Sequence, residues 1–314
     1  MPVIEVLIII LGLILFEVVN SVDNAIINAH VLRTMSEKWR KRFLYFGIVT
    51  SVLLVRLALP LVIIWLVVPN ISIAEIIKVF NGNSSVAVDA IEQQKPLILS
   101  FGGIFLILLY FHWLFMERKQ PLFFHERILK EHHDVWFFAF AAIILVVMLY
   151  FSRNNPNMML TAAIGSAAFF IIYGFKETAE RHEAKLMRKG LSDVSKFLYL
   201  EVLDATFSFD SVVGAFAFTT NLLYIMIGLG IGALVLRQLT LLGVNRISKY
   251  RWLKNGAMTA IGFLGLFMIL ESFKIELPIY LPTVITFGII GYAFYKSYKH
   301  LRTSTPDRYF KWQS

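Results

Sequence analysis

Glu17-Val18-Val19-Asn20-Ser21-Val22-Asp23-Asn24 lies in the middle of an apolar stretch, and so does Asp204-Ala205-Thr206-Phe207-Ser208-Phe209-Asp210-Ser211. Both read acid-x3-Ser-x-Asp-(Asn/Ser). A carboxylate in an apolar run of bilayer length is costly, and an internal repeat of such a motif constrains the architecture. The neighbours match as well. Each motif run is followed by one carrying a single arginine inside it, Arg56 and Arg237. Each third run places a polar residue at the same distance after a glycine, Gly103 to His112 and Gly262 to Glu271.

Outward from the motifs, apolar runs occupy 3–31, 44–68, 97–116, 135–151, 158–175, 197–220, 222–243, 256–273 and 278–296. Most have the roughly 17–25 residues that a bilayer-crossing helix requires. With 58% hydrophobic and 16% charged residues, the chain departs from the balance of a soluble domain. The expected fold is all-α, a polytopic membrane bundle of about nine helices with two inverted three-helix repeats. Residues 1–116 form the first repeat. Residues 117–196 hold connecting helices and loops, 197–273 the second repeat, and 274–314 a last helix and tail. The apolar start lacks a basic leader and cleavage site, so it reads as a first span. Two runs separate the repeats, which inverts the second relative to the first, a plan common among secondary transporters.

The net charge of +9 and pI of 9.6 do not indicate nucleic acid. Of 30 Lys and Arg, 24 lie in the alternate connections 33–42, 117–134, 176–196, 246–254 and 296–314. Basic loops remain cytoplasmic, so the amino terminus is expected outside and the carboxyl terminus inside the plasma (inner) membrane. The opposite connections hold only Lys78, Lys95, Arg153 and Lys274. The absence of cysteine excludes disulfides, thiolate metal sites and thiol catalysis.

Six acids fall inside the predicted spans: Glu17, Asp23, Glu201, Asp204, Asp210 and Glu271. Unpaired, they would cost on the order of 15–20 kcal/mol together. Arg56 and Arg237 can neutralise two, Arg56 from the middle of its helix and Arg237 from a position where it can snorkel. Glu201 sits near a span end, within reach of water. Glu17, Ser21 and Asn24 share a helical face, as do Glu201, Asp204, Ser208 and Ser211. Asp23 and Asp210 lie about a third of a turn off that face, so a helix break near 20–24 or 207–211 is expected to turn them inward. Carboxylate, hydroxyl and amide oxygens suit Mn²⁺, Ca²⁺ or Mg²⁺. His112 either adds a nitrogen ligand, which favours Mn²⁺, or packs within the bundle. The loop groups Glu126, Glu131, His132, His133, Asp134 and Glu177, Glu180, His182, Glu183 read as solvated faces, with a metal-sensing patch at the cytoplasmic mouth as the alternative. Loop 69–96, with Asn81-Gly82-Asn83-Ser84-Ser85, reads as flexible. Gly228-x3-Gly232 permits close helix packing, within the chain or between copies of a homo-oligomer.

The paired motifs, with Gly102-Gly103-x-Phe105-Leu106 in the third run, resemble the TerC family of integral membrane proteins. That family is associated with tellurium resistance and metal-ion homeostasis, chiefly Mn²⁺ efflux. The resemblance implies ion binding by Glu17, Asp23, Asn24, Asp204, Asp210 and Ser211. Ser21, Ser208, Arg56, His112, Glu271, Glu201 and Arg237 are expected around them as supporting groups or counter-charges. The expected function is export of a divalent cation, most readily Mn²⁺, through a carboxylate-lined midplane site, with protons travelling oppositely. Its rival is a non-transporting scaffold with a structural or sensory Ca²⁺ site in a stress-response complex. Enzymatic activity is not expected: the Ser and Asn neighbours of Asp23 and Asp210 favour ligation over aspartyl catalysis. The expected partners are the metal ion and the lipid bilayer.

Overall fold

The computed structural model describes residues 2–48, 55–69, 71–72, 74–76, 91–128, 134–186, 192–247 and 249–304. Most of loop 69–96, including Asn81 to Ser85, lies outside them. The described helices are α1 (Val3–Asn20), α2 (Val22–Arg33), α3 (Glu37–Ile48), α4 (Arg56–Val67), α5 (Lys95–Met116) and α6 (Phe124–Ile128). They continue as α7 (Asp134–Phe151), α8 (Pro156–Leu186), α9 (Asp193–Ala215), α10 (Leu222–Ile247), α11 (Leu253–Ser272) and α12 (Leu281–Ser304). The described structure is all-helical, and the described parts of the apolar runs fall mainly on helices, with the run 3–31 divided between α1 and α2.

Four stretches are long and apolar enough to cross a bilayer: Val3–Asn20, Lys95–Met116, Pro156–Thr178 and Leu253–Ser272. Ala58–Val67, Val135–Phe151 and Leu222–Leu236 are shorter apolar helices. The protein is therefore a helical membrane protein. Its lipid-facing character is plain on α7, which exposes Val135, Phe138, Ile143, Val146 and Tyr150. In water such a face would be an association surface; in a bilayer it needs no partner.

Local chemistry sets the helix ends. Ser192 caps α9 by accepting from the Ser195 N–H at 3.3 Å, and Asn155 Oδ1 accepts from the Met158 N–H at 3.2 Å at the start of α8. Both satisfy amides that a helix start leaves open. At the far end of α11, Lys274 takes a left-handed φ of 62°. The Ile275 N–H then reaches back to Leu270 O at 3.2 Å, which closes the helix as a glycine would.

Glycines bring the central helices together. A Cβ on Gly103 would lie 3.0 Å from the Ile269 nitrogen and 3.2 Å from Gly265 O; one on Gly265 would lie 3.0 Å from the Ile107 nitrogen. Thus α5 and α11 touch backbone to backbone. On the other side α1 packs along α10, where a Cβ on Gly232 would meet Ile14 O at 3.1 Å. Gly228-x3-Gly232 is accordingly used within the chain, with Gly228 against Leu13. Between these pairs α9 contacts α3 and α4.

Candidate functional site

The first motif contains the expected helix break. Its helix stops at Asn20, resumes at Val22, and leaves Ser21 between them at φ −95°, ψ 7°. Directly before the break, Glu17 is fully buried (0% exposed) and forms an ion pair with Arg56 (3% exposed). Arg56 Nη2 donates to Glu17 Oε1, and Ser21 Oγ donates to the same oxygen at 3.0 Å. The carboxylate of Asp204 also acts on Arg56. Arg56 and Glu17 thus form a buried ion pair. Glu17 Oε2 is buried with no hydrogen-bond partner among the described residues.

The second motif differs from expectation. No break forms at 207–211: α9 is continuous from Asp193 to Ala215. Its Ser208 hydroxyl donates back to Asp204 O at 2.7 Å, so its hydrogen bonding is satisfied inside an unbroken helix. Asp210 is nevertheless buried, because it faces α8 and forms an ion pair with Lys176. Lys176, expected in a loop, belongs to α8, which runs on to Leu186. Its ammonium also lies 4.9 Å from the centre of the Phe207 ring. Asp210 Oδ1 is buried and without a hydrogen-bond partner among the described residues.

A direct bond joins the motifs: Asn20 Nδ2 donates to Ser211 Oγ at 2.9 Å across 191 positions of sequence. Asp204, Ser208 and Ser211 are all buried on α9, whereas Glu201 is half-buried. The side chains of Asp23, Asn24 and Arg237 lie outside the described residues. Among the described residues no three His, Asp or Glu side chains gather into a metal-binding group.

His112 and Glu271 stand apart from this centre. His112 is buried among aromatic rings, 4.0 Å from Tyr173, 5.2 Å from Phe137 and 6.1 Å from Phe169 by centroid. It packs within the bundle. Glu271 is not a deeply buried acid: its side chain is 18% exposed and pairs with Lys95 at 2.8 Å, near the ends of α11 and α5.

Two contacts tie the motif helices at the side that the charge pattern assigns to the cytoplasm. Lys196 donates to Thr34 O at 3.1 Å and Thr34 Oγ1 at 3.0 Å, and the Ser36 N–H donates to Asp193 Oδ2 at 3.3 Å. Glu126, expected to be solvated, is 1% exposed. Its Oε2 accepts from the Leu122 N–H at 2.6 Å and from Asn255 Nδ2 at 2.8 Å, bonds that repay part of its desolvation. Burial also depresses the neighbouring His125 below the usual imidazole range. Glu131, His132 and His133 lie outside the described residues, as do the side chains of Asp134, Glu180, His182 and Glu183.

Lys176 and Glu126 are the residues that sequence reading missed. Lys176 follows directly after the apolar run and precedes Glu177, which imitates a loop start. The usable signal was the lack of any Gly or Pro from 175 to 186, which lets the helix continue.

Comparison with known proteins agrees with a membrane location. Over 118 residues the chain is 30% identical to the "Uncharacterized membrane protein YceF" of Bacillus subtilis (strain 168). That match covers 35% of this chain and 46% of the relative, so the shared region spans about half of that protein. No solved structure matches. Residues 22–304, from just after the Ser21 break to the end of α12, match the family described as "Protein of unknown function (DUF475)", and the chain belongs to that family.

Proposed function

We propose that this protein is a membrane transporter related to the TerC proteins, moving a divalent cation, Mn²⁺ before Ca²⁺ or Mg²⁺, out of the cytoplasm. The observation that carries the reading is the Asn20–Ser211 bond, which draws together two motifs in which Glu17, Asp204 and Asp210 are buried. Glu17 Oε2 in one motif and Asp210 Oδ1 in the other are buried carboxylate oxygens without hydrogen-bond partners among the described residues. Oxygen donors of this kind favour hard divalent ions. Intramembrane acids facing the interior of a bundle are characteristic of ion pathways.

The inverted-repeat reading is supported by how the helices pair. The motif helix of each half packs on the arginine-bearing helix of the other, α1 on α10 and α9 on α4, and the two third helices, α5 and α11, pack on each other. A pseudo-two-fold axis in the membrane plane would bring these helix pairs together, although α1 packs on α10 far more extensively than α9 does on α4. In the mechanism proposed, Glu17, Asp210 and the hydroxyl and amide groups between them hold the ion near the midplane. Arg56 balances the charge of Glu17 and Asp204 throughout. Protons moving oppositely through the same carboxylates would complete the exchange.

The rival scaffold reading is favoured by one observation: Glu17 and Asp210 already have basic partners, Arg56 and Lys176. Flux of Mn²⁺, Ca²⁺ and Mg²⁺ into liposomes holding the purified protein separates the two. Transport of one ion, abolished in Asp210→Asn, is expected. Tight binding without flux would establish the scaffold instead.

A further inference from the structure

We infer that Lys176 is a tethered competitor of the transported cation, holding one oxygen of Asp210 and yielding it when the ion binds. The inference rests on the transport reading above. Asp210 presents two oxygens with different surroundings: Oδ2 is held by the Lys176 ammonium, while Oδ1 is buried without a hydrogen-bond partner among the described residues. A divalent ion arriving at Oδ1 places two positive charges against the ammonium, and at this burial the repulsion is weakly screened. The lysine therefore moves away as the ion settles.

The structure supplies somewhere for it to go. The Phe207 ring, one helical turn before Asp210, already faces the ammonium at 4.9 Å. An aromatic face retains a cation without a formal negative charge, so Lys176 can leave the carboxylate without becoming isolated in an apolar bundle. Lysine suits this role because a compact charge on a flexible four-carbon stem exchanges partners more readily than a planar guanidinium. The lysine comes from α8, outside both repeats, so a connecting helix sets the affinity of a site built by the repeats.

The chain lacks cysteine, so Lys176→Cys introduces a unique thiol to which a charge can be returned chemically. Equilibrium binding of radioactive Mn²⁺ is measured on the full-length protein in lipid nanodiscs. Removing the competitor in Lys176→Cys or Lys176→Gln is expected to tighten binding about tenfold, within the usual range of coupling between two ligands. Aminoethyl methanethiosulfonate, which rebuilds an ammonium at nearly lysine length, is expected to weaken the Cys variant again. The neutral methyl reagent is expected to leave it tight. If wild-type binding depends on Asp210 but neither neutral variant binds more tightly, the competitor role is overturned and the transport reading stands. If wild-type protein binds none of Mn²⁺, Ca²⁺ and Mg²⁺, both are overturned.

Discussion

The two halves carry one motif and neutralise it in different ways. In the first, Glu17 is held by a guanidinium from α4 and by Ser21 across a helix break. In the second, Asp210 is held by a single ammonium from the preceding helix, on an unbroken α9. The first pair is almost wholly enclosed, with side chains 0% and 4% exposed; the second is 9% and 12% exposed. The difference separates a fixed counter-charge from an exchangeable one. Symmetric motifs need not do symmetric work when their basic partners come from different places in the chain.

The largest expected effect comes from breaking the fixed pair. Arg56→Met leaves Glu17 as an uncompensated buried carboxylate, a loss of about 3–5 kcal/mol. It should appear as a large fall in the thermal midpoint of the detergent-solubilised protein. Adding Glu17→Gln should recover most of it. The corresponding change at Lys176 is expected to cost clearly less, and equal losses at the two sites would erase the distinction drawn here. A smaller effect tests the bond between the halves. Asn20→Ala and Ser211→Ala should each cost about 0.5–1.5 kcal/mol. Their double mutant should cost less than the sum, because the two residues share one interaction. Additive losses would mean that the bond contributes nothing.

The smallest effect concerns a group remote from both pairs. Lys119 Nζ donates to Trp113 O at 2.7 Å and Leu114 O at 2.6 Å, and burial lowers its pKa from 10.5 to about 8. Between those values the unfolded chain holds a proton that the folded chain has released. Stability should therefore rise with pH across that window. The thermal midpoint of the wild type should rise relative to that of Lys119→Met between pH 7.5 and 10.5. Parallel curves would show that Lys119 keeps its proton throughout.

Much of this was legible in the sequence because apolar length and buried charge are strong signals. The motif helices, the break after Asn20 and the pairing of Arg56 with a buried acid all follow from residues whose presence in an apolar run demands compensation. What escaped reading was compensation supplied from outside the run. Lys176 falls in a connection when read by apolar length, which stops at Phe175, although nothing there ends a helix. Glu126 looked solvated because its burial depends on the Leu122 N–H and on Asn255, 129 positions away, and no periodicity records such a bond. The break expected in α9 is absent: the helix runs on past Ser208, whose hydroxyl donates to Asp204 O. Glu271 was assigned too much depth because a helix end cannot be located to one turn from apolarity alone.

The contact between α5 and α11 has a mechanical consequence. Their backbones meet at Gly103 and Gly265, and near one end they are stitched by Lys254 to Glu117 at 2.6 Å and by Asn255 to Gln120 O at 3.0 Å. Helices in such close register have little slack in which to slide. They form a spine shared by both halves, about which the motif helices would have to swing while the spine itself stays still.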